Sequence, residues 1–367
     1  MENNKVFRHI VIAALLSLGV LWSFSSAAEK KDGYPNDRFI ANAQWLALHK
    51  EDKDVVIVDV RSDDHFDGSV IPGAVHMPWS LFRHNDIGHS LASTFVGVKQ
   101  AQRILGKHGI TPKDTVVLYD SVARDGGATA SYIFWILDVL GHEKKMILER
   151  GIDGWKEAGF ERVTTPRETR ELLYQVPTGK LRTDRIIDGD FVYNRLGDYY
   201  YQIIDVRSAE EYSGKKGTKG LEGTPLKLGH IPTAVNINYE SAWADAQSKD
   251  IKSYVGLQNL YAGLDSSRGV IVYCNSGRRS SFSYYILRLM GFENVYTYEP
   301  SWKEWGRPAN YYPVETEENI LKSGPLPQPS RISGSGGRVT SRKNSNVDAS
   351  DPDGSNEPTG GYVSCGG

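Results

Sequence analysis

The feature that most constrains this chain is that it repeats itself. Ile57-Val58-Asp59-Val60-Arg61 is followed by Ile71-Pro72-Gly73-Ala74-Val75. Later, Ile203-Ile204-Asp205-Val206-Arg207 is followed by Ile231-Pro232-Thr233-Ala234-Val235. Val116-Val117-Leu118-Tyr119-Asp120 then matches Val270-Ile271-Val272-Tyr273-Cys274, and Gly154-Trp155-Lys156-Glu157 matches Ser301-Trp302-Lys303-Glu304. The same elements recur in the same order, so the chain is a duplicated domain. Within each copy, short β-branched runs alternate with longer amphipathic stretches. Residues 55–58 and 116–119 read as buried strands. Residues 131–140 and 281–290 read as helices, each stopped by a glycine, Gly141 or Gly291. Such alternation predicts an α/β fold, with two tandem domains that are each a mainly parallel sheet flanked by helices.

The expected boundaries are a first domain at 37–165, a linker at 166–183 and a second domain at 184–312. The linker stretch lacks periodicity and carries Pro177. Residues 313–367 turn rich in Gly, Ser, Pro and Asn, a composition that cannot bury enough apolar surface to offset the entropy of ordering, and predict a disordered tail. At the other end, Lys5 and Arg8 precede an apolar run from Ile10 to Trp22, then Ser26-Ala27-Ala28. That order predicts a signal peptide at 1–28 and a periplasmic or secreted product. An uncleaved anchor is the alternative, although the run is shorter than the ~20 residues a spanning helix needs. After cleavage no stable membrane span is expected.

Composition removes other classes. A net charge of -2 with 24% charged residues lacks the basic excess of a nucleic-acid binder. Two cysteines, Cys274 and Cys365, exclude a disulfide framework and a CxxC zinc site. No metal or organic cofactor is implied.

Cys274 is the expected reactive centre. It follows the strand 270–273 and leads the loop Asn275-Ser276-Gly277-Arg278-Arg279-Ser280, with a helix expected to start near Ser281. Loop N–H groups and a helix N-terminus place partial positive charge around the thiol, which lowers its pKa and favours the nucleophilic thiolate. Gly277 lets the backbone curl. Arg278 and Arg279 add charge that attracts an anionic substrate. The competing reading is a small buried hydrophobe.

These landmarks together resemble tandem-domain rhodaneses, the thiosulfate and 3-mercaptopyruvate sulfurtransferases. The resemblance rests on the two Asp-Val-Arg runs, the Ile-Pro-x-Ala turns, the strands leading into the loops, and the late Trp motifs. It implies a cysteine that takes a sulfane sulfur from a small-molecule donor, holds it as a persulfide and passes it to a thiophilic acceptor such as cyanide or a thiol. It also implies that the second copy is catalytic, since Asp120 stands in the first copy where Cys274 stands in the second. Arg124, in the longer loop of the first copy, reads either as a cleft residue or as a surface arginine. The resemblance places Arg207 near the substrate's anionic group; the alternative is a structural pair with Asp205. The expected substrate-binding set is Arg207, Asn275, Ser276, Gly277, Arg278, Arg279 and Ser280. His230 is expected to be a turn residue. The arginines favour thiosulfate, a dianion, but they lie further from the cysteine than in the usual tandem enzyme, which leaves the donor open.

Two rival classes remain. A Cys-dependent phosphatase or arsenate reductase requires Arg where Ser280 stands. A sulfur or selenium carrier, or a partner in a redox assembly, is suggested by Cys365. A flexible tether of about 50 residues reaches on the order of 40 Å, enough for Cys365 to act as a relay to Cys274.

Overall fold

The computed structural model describes residues 33–84, 94–220 and 223–317. The expected signal peptide and Cys365 with nearly all of the expected tail lie outside the described residues. Among the described residues, no helix is long and apolar enough to cross a membrane.

The first half contains β1 (Ile40–Ala41), α1 (Ala43–His49), β2 (Val55–Asp59), β3 (Val75–His76), α2 (Val98–Lys107), β4 (Thr115–Tyr119), α3 (Ala128–Val139), β5 (Lys145–Leu148) and α4 (Gly151–Glu157). The second contains β6 (Ile186–Ile187), α5 (Gly189–Tyr193), β7 (Tyr201–Asp205), α6 (Ala209–Ser213), β8 (Val235–Asn236), α7 (Tyr254–Leu260), β9 (Gly269–Tyr273), α8 (Arg278–Leu289), β10 (Val295–Tyr298) and α9 (Ser301–Trp305). The sheets run β1-β5-β4-β2-β3 and β6-β10-β9-β7-β8. Every pairing is parallel. This is the α/β architecture expected from the repeat. The central strands β2 and β9 are buried along their whole length, which is why they read as unbroken apolar runs rather than alternating ones.

The recurring motifs have a common structural cause. Asp205 ends β7, and its carboxylate accepts the Arg207 backbone N–H at 2.9 Å, the Arg207 guanidinium at 2.5 Å and the Tyr273 hydroxyl at 2.6 Å. Tyr273 Oη in turn accepts the N–H of Ile231 at 3.0 Å, at the Ile-Pro turn. In the first copy Asp59 likewise holds Arg61 at 2.6 Å, and Tyr119 accepts the Ile71 N–H at 3.2 Å. The motif therefore locks strand end to turn across the sheet. Fully buried ionic groups persist only where geometry satisfies them this completely.

The helices that follow β4 and β9 form the contact between the halves. All twelve residues of α3 are buried, as are those of α8 from Ser280 to Leu289. A helix buried all round must be covered on both sides; here α3 and α8 pack on each other as well as on their own sheets. Phe134 meets Tyr285 edge-on at 5.1 Å, and the Ser281 hydroxyl donates to the Ala128 carbonyl at 3.3 Å. Asp138 on α3 sits 2.9 Å from Lys145, 3.3 Å from Arg288 on α8, and accepts the Tyr284 hydroxyl. These cations hold the buried Asp138 carboxyl well below the usual range even though burial alone would raise it.

Both helices begin three residues earlier than expected, at Ala128 and Arg278. The segment between the halves has no helix or strand from Ala158 to Arg182, but it is strapped to the first half. Leu172 donates to the Gly106 carbonyl at 2.9 Å, Val176 to Gln102 at 2.9 Å and Arg182 to the Val139 carbonyl at 2.8 Å.

Candidate active site

Cys274 sits directly after β9, at the carboxyl end of the second sheet, where open α/β sheets gather their ligands. The chain turns through Asn275-Ser276-Gly277 and enters α8. Gly277 has φ 91 and a Cβ there would lie 2.8 Å from Cγ of Glu299, so the position needs glycine. The Ser281 N–H closes the first helical turn onto the Gly277 carbonyl at 3.0 Å.

This turn brings two backbone donors onto the sulfur. Gly277 N–H lies 3.2 Å and Ser276 N–H 3.4 Å from Cys274 Sγ. Behind the loop, α9 fixes its backbone. Cys274 N–H donates to Ser301 Oγ at 3.1 Å, Trp302 N–H to the Cys274 carbonyl at 3.1 Å, and Lys303 N–H to the Asn275 carbonyl at 3.0 Å. Ser301 adopts φ 56, a left-handed conformation uncommon for a residue with a side chain. Its hydroxyl donates to the Tyr298 carbonyl at 2.7 Å, which leaves its oxygen turned to the Cys274 N–H. The cysteine is 1% exposed. Burial pushes its pKa up, but the Arg279 charge, the N–H groups of Ser276 and Ser280 and the Ser280 hydroxyl outweigh that, and the net direction is down.

The structure separates the expected substrate-binding residues. Asn275 and Ser276 are half-buried beside the thiol, with Asn275 Oδ1 accepting the Thr218 hydroxyl at 3.4 Å. Ser280 is fully buried and its hydroxyl donates to the Gly277 carbonyl at 2.9 Å. Arg278 lies over the Trp79 ring at 5.7 Å. Arg278, Arg279 and Ser280 form the first turn of α8 rather than part of a loop.

Two of the expected arginines are engaged within the second domain. Arg279 is joined to Glu211 by two bonds of 2.8 and 2.9 Å, so a carboxylate takes one N–H of each terminal nitrogen. Its charge still acts on the sulfur. Arg207 is 1% exposed, doubly bonded to Asp205, and donates to the Gly229 carbonyl at 2.7 Å. The pair with Asp205 named as the structural alternative is therefore formed. Elsewhere, Arg124 pairs with Asp64 of its own half at 3.2 Å. His230 stacks on Tyr212 at 3.7 Å with Nδ1 2.8 Å from the Tyr212 carbonyl, the turn role expected for it.

Several site residues carried no motif. From the first half, Arg83 reaches across and its Nη1 donates to the Ser276 carbonyl at 2.9 Å. It also lies 3.6 Å from Glu299 and over the rings of Trp79 and Tyr132 at 5.3 and 5.1 Å. Glu299 accepts the Tyr132 hydroxyl at 2.8 Å, and burial pushes its carboxyl up. Glu211 was visible only as the end of an N-terminal helix signal, Ser208-x-x-Glu211, and it completes that capping box on α6. Among the described residues, no group of three or more His, Cys, Asp or Glu is placed to hold a metal ion.

A family model described as a rhodanese-like domain matches the chain twice, at residues 42–158 and 189–308. The chain belongs to the rhodanese family. A Corynebacterium glutamicum protein named thiosulfate sulfurtransferase is 28% identical over 299 residues, 78% of this chain and 93% of that protein. A Mycobacterium leprae protein, provisionally named a thiosulfate sulfurtransferase, is 30% identical over 279 residues, 73% of this chain and 94% of that one. Among solved structures, the anaerobic ergothioneine biosynthesis enzyme from Chlorobium limicola, in complex with trimethyl histidine, superposes with a TM-score of 0.64 at 23% identity. It covers 78% of this chain and 72% of that one. At that identity the likeness concerns the fold: two rhodanese domains in tandem.

Proposed function

We propose that this rhodanese is a sulfurtransferase that moves the outer sulfur of thiosulfate through a Cys274 persulfide to cyanide or a thiol. The observation that carries the reading is the Cys274 sulfur held against the Gly277 and Ser276 N–H groups at the start of a twelve-residue helix. In the first step the thiolate attacks the outer sulfur of thiosulfate. A Cys–S–S⁻ bond forms, the S–S bond of the donor breaks, and sulfite leaves with the electron pair. In the second, cyanide attacks the terminal sulfur, thiocyanate leaves, and the thiolate returns. No net proton transfer is required, so the chemistry needs anion stabilisation more than a general base. The N–H pair supplies it at the thiolate and at the persulfide alike. The names of the Corynebacterium and Mycobacterium relatives favour thiosulfate as donor.

The decisive assay measures thiocyanate formation from thiosulfate and cyanide, with 3-mercaptopyruvate as the comparison donor. Thiosulfate turnover that falls about a thousandfold or more in Cys274→Ser is expected, together with a wild-type mass gain of one sulfur on the Cys274 peptide. Wild-type protein that uses neither donor would overturn the reading. The N-terminal sequence supports export; mature protein beginning near Glu29 is the expected product, and recovery of Met1 from secreted material would refute it.

A further inference from the structure

We propose that Arg83 of the first domain is a positioning residue for the thiolate of the second, acting through the single peptide unit that joins Ser276 to Gly277. The proposal rests on the reading of Cys274 as the sulfur-carrying nucleophile and adds a role for the domain that has no cysteine.

One amide joins Arg83 to the sulfur. Its oxygen, the Ser276 carbonyl, accepts Nη1 of Arg83 at 2.9 Å. Its N–H, that of Gly277, points at Cys274 Sγ at 3.2 Å, shorter than the 3.4 Å of the Ser276 N–H. A cation on the oxygen draws electron density out of the N–H and makes it a better donor, as linked hydrogen bonds polarise one another. The same bond fixes the plane of the peptide, so the N–H cannot rotate off the sulfur. Arg83 is 5% exposed, so little water screens this effect. Its guanidinium is itself held in place, between the Trp79 and Tyr132 rings and beside Glu299.

The duplication supplies an independent observation. The segment Trp79–Phe82 of the first copy corresponds to Tyr239–Ala242 of the second, and the residues that follow, Arg83 and Trp243, each make an equivalent antiparallel bridge, to Phe95 and to Ile251. Trp243 reaches the loop of the first copy just as Arg83 reaches the loop of the second: a Cβ on Gly126 would lie 3.1 Å from its ring. Each domain therefore braces the other's loop with the same residue position. The loop that carries Cys274 is braced by a cation, and the loop that carries Asp120 by an indole. Asp120 forms no persulfide and its carboxylate accepts the Ala130 N–H at 3.0 Å; the residue that braces its loop from the other domain is Trp243 rather than an arginine.

The groups that set the charge around the sulfur are Arg279 with Glu211, Arg83 with Glu299 and Tyr132, and Arg278 on Trp79. The experiment must remove Arg83 without stranding Glu299. The readout is the pH dependence of iodoacetamide alkylation of Cys274 in the full chain, followed by mass on the Cys274 peptide so that Cys365 does not contribute. The comparison is Arg83→Met/Glu299→Gln against Glu299→Gln, with single Arg83→Met and Arg83→Lys beside them. Loss of Arg83 is expected to raise the alkylation midpoint by about one pH unit, at the low end of what a nearby cation does, and Arg83→Lys is expected to recover most of that shift. Equal midpoints in the matched pair, with both proteins folded by circular dichroism, overturn the proposal. So does a lysine variant that behaves like methionine. Alkylation needs no sulfur donor, so a wrong donor assignment leaves this outcome unaffected. Conversely, a shifted midpoint in a protein that turns over no thiosulfate would sink the functional reading and keep this one.

Discussion

Replacing Glu211 by Gln tests the electrostatics of the site most directly, because it should move stability and nucleophile acidity in opposite directions. Burial pushes the Glu211 carboxyl up, but the two bonds from Arg279 and the Ser208 N–H bring it down to about 2. A carboxyl held there rather than near 4.5 favours the ionised folded state by about 3 kcal/mol. The Arg279 side chain is 22% exposed, so solvent screening reduces the expected net value to about 2 kcal/mol. The folded-state value is depressed, so this stability is fully present above about pH 4.5 and is lost as pH falls toward 2; more than half is gone by pH 3. Gln keeps the length, and its amide oxygen can still cap Ser208 N–H. The variant should therefore lose about 2 kcal/mol by urea unfolding at pH 7, and less than half of that at pH 3. Meanwhile Arg279, no longer neutralised by a carboxylate, acts more strongly on Cys274, so the alkylation midpoint should fall. A stability loss that is the same at pH 7 and pH 3 would refute the assigned ion pair. A midpoint that rises would refute the assigned role of Arg279.

Gly277→Ala should cost about 2–3 kcal/mol, because the added Cβ demands φ 91 and meets Glu299 at 2.8 Å; the displaced N–H should also raise the alkylation midpoint, and an unshifted midpoint would show that this donor is not what holds the thiolate. Asp138→Asn strands Lys145 and Arg288 between the two domains and should lower stability by about 3 kcal/mol or more in urea melts; a loss under about 1 kcal/mol would mean that the network is solvated. Thr233→Gly should stabilise by about 0.5–1 kcal/mol, since Thr233 is β-branched at φ 69 where the first copy has Gly73 at φ 80. An unchanged or lowered thermal midpoint would show that the threonine is not strained.

The fold was legible because duplication showed it twice. A parallel strand buried on both faces reads as an unbroken apolar run, and β2, β4 and β9 present such runs beside Asp-Val-Arg or Asp120/Cys274, while β7 shows only its buried end, Ile203-Ile204. The helix starts were not legible. Ala128-Thr129-Ala130 and Arg278-Arg279-Ser280 carry no apolar period, and these helices start at the turns of Gly127 and Gly277, which have no capping side chain of their own. That misplacement made Arg278 and Arg279 look like loop residues open to substrate. The burial of Arg207 was equally hidden: Asp-Val-Arg gives a charged pair near a strand end, but only the sheet places Tyr273 and the Gly229 carbonyl around it. Arg83 lay outside every recurring motif. Counting from the shared Ile-Pro turns would have aligned it with Trp243, and an arginine opposite a tryptophan in otherwise matching segments was the available signal.

Asp120 makes the first domain unable to form a persulfide, yet the structure gives that domain two effects on the chemistry. The first is solvent exclusion. α8 carries Cys274's loop at its N-terminus, and from Ser280 onward every residue is buried, partly against α3. Without α3, Phe282 and Tyr285 would face water and the helix that presents the thiolate would lose one of its walls. The second effect is charge. Arg279, the cation whose charge lowers the Cys274 pKa, is paired with Glu211, so its field at the sulfur is partly cancelled by a carboxylate on the same domain. A thiol enclosed as fully as Cys274 needs further compensation if it is to ionise, because burial opposes the thiolate. Within the second domain that compensation comes from the partly neutralised Arg279, the loop N–H groups and the Ser280 hydroxyl. Arg83, supplied across the interface, adds a further full charge at the loop. The copy without a nucleophile therefore has a use: an isolated second domain would hold the right cysteine in a wetter and less positive site.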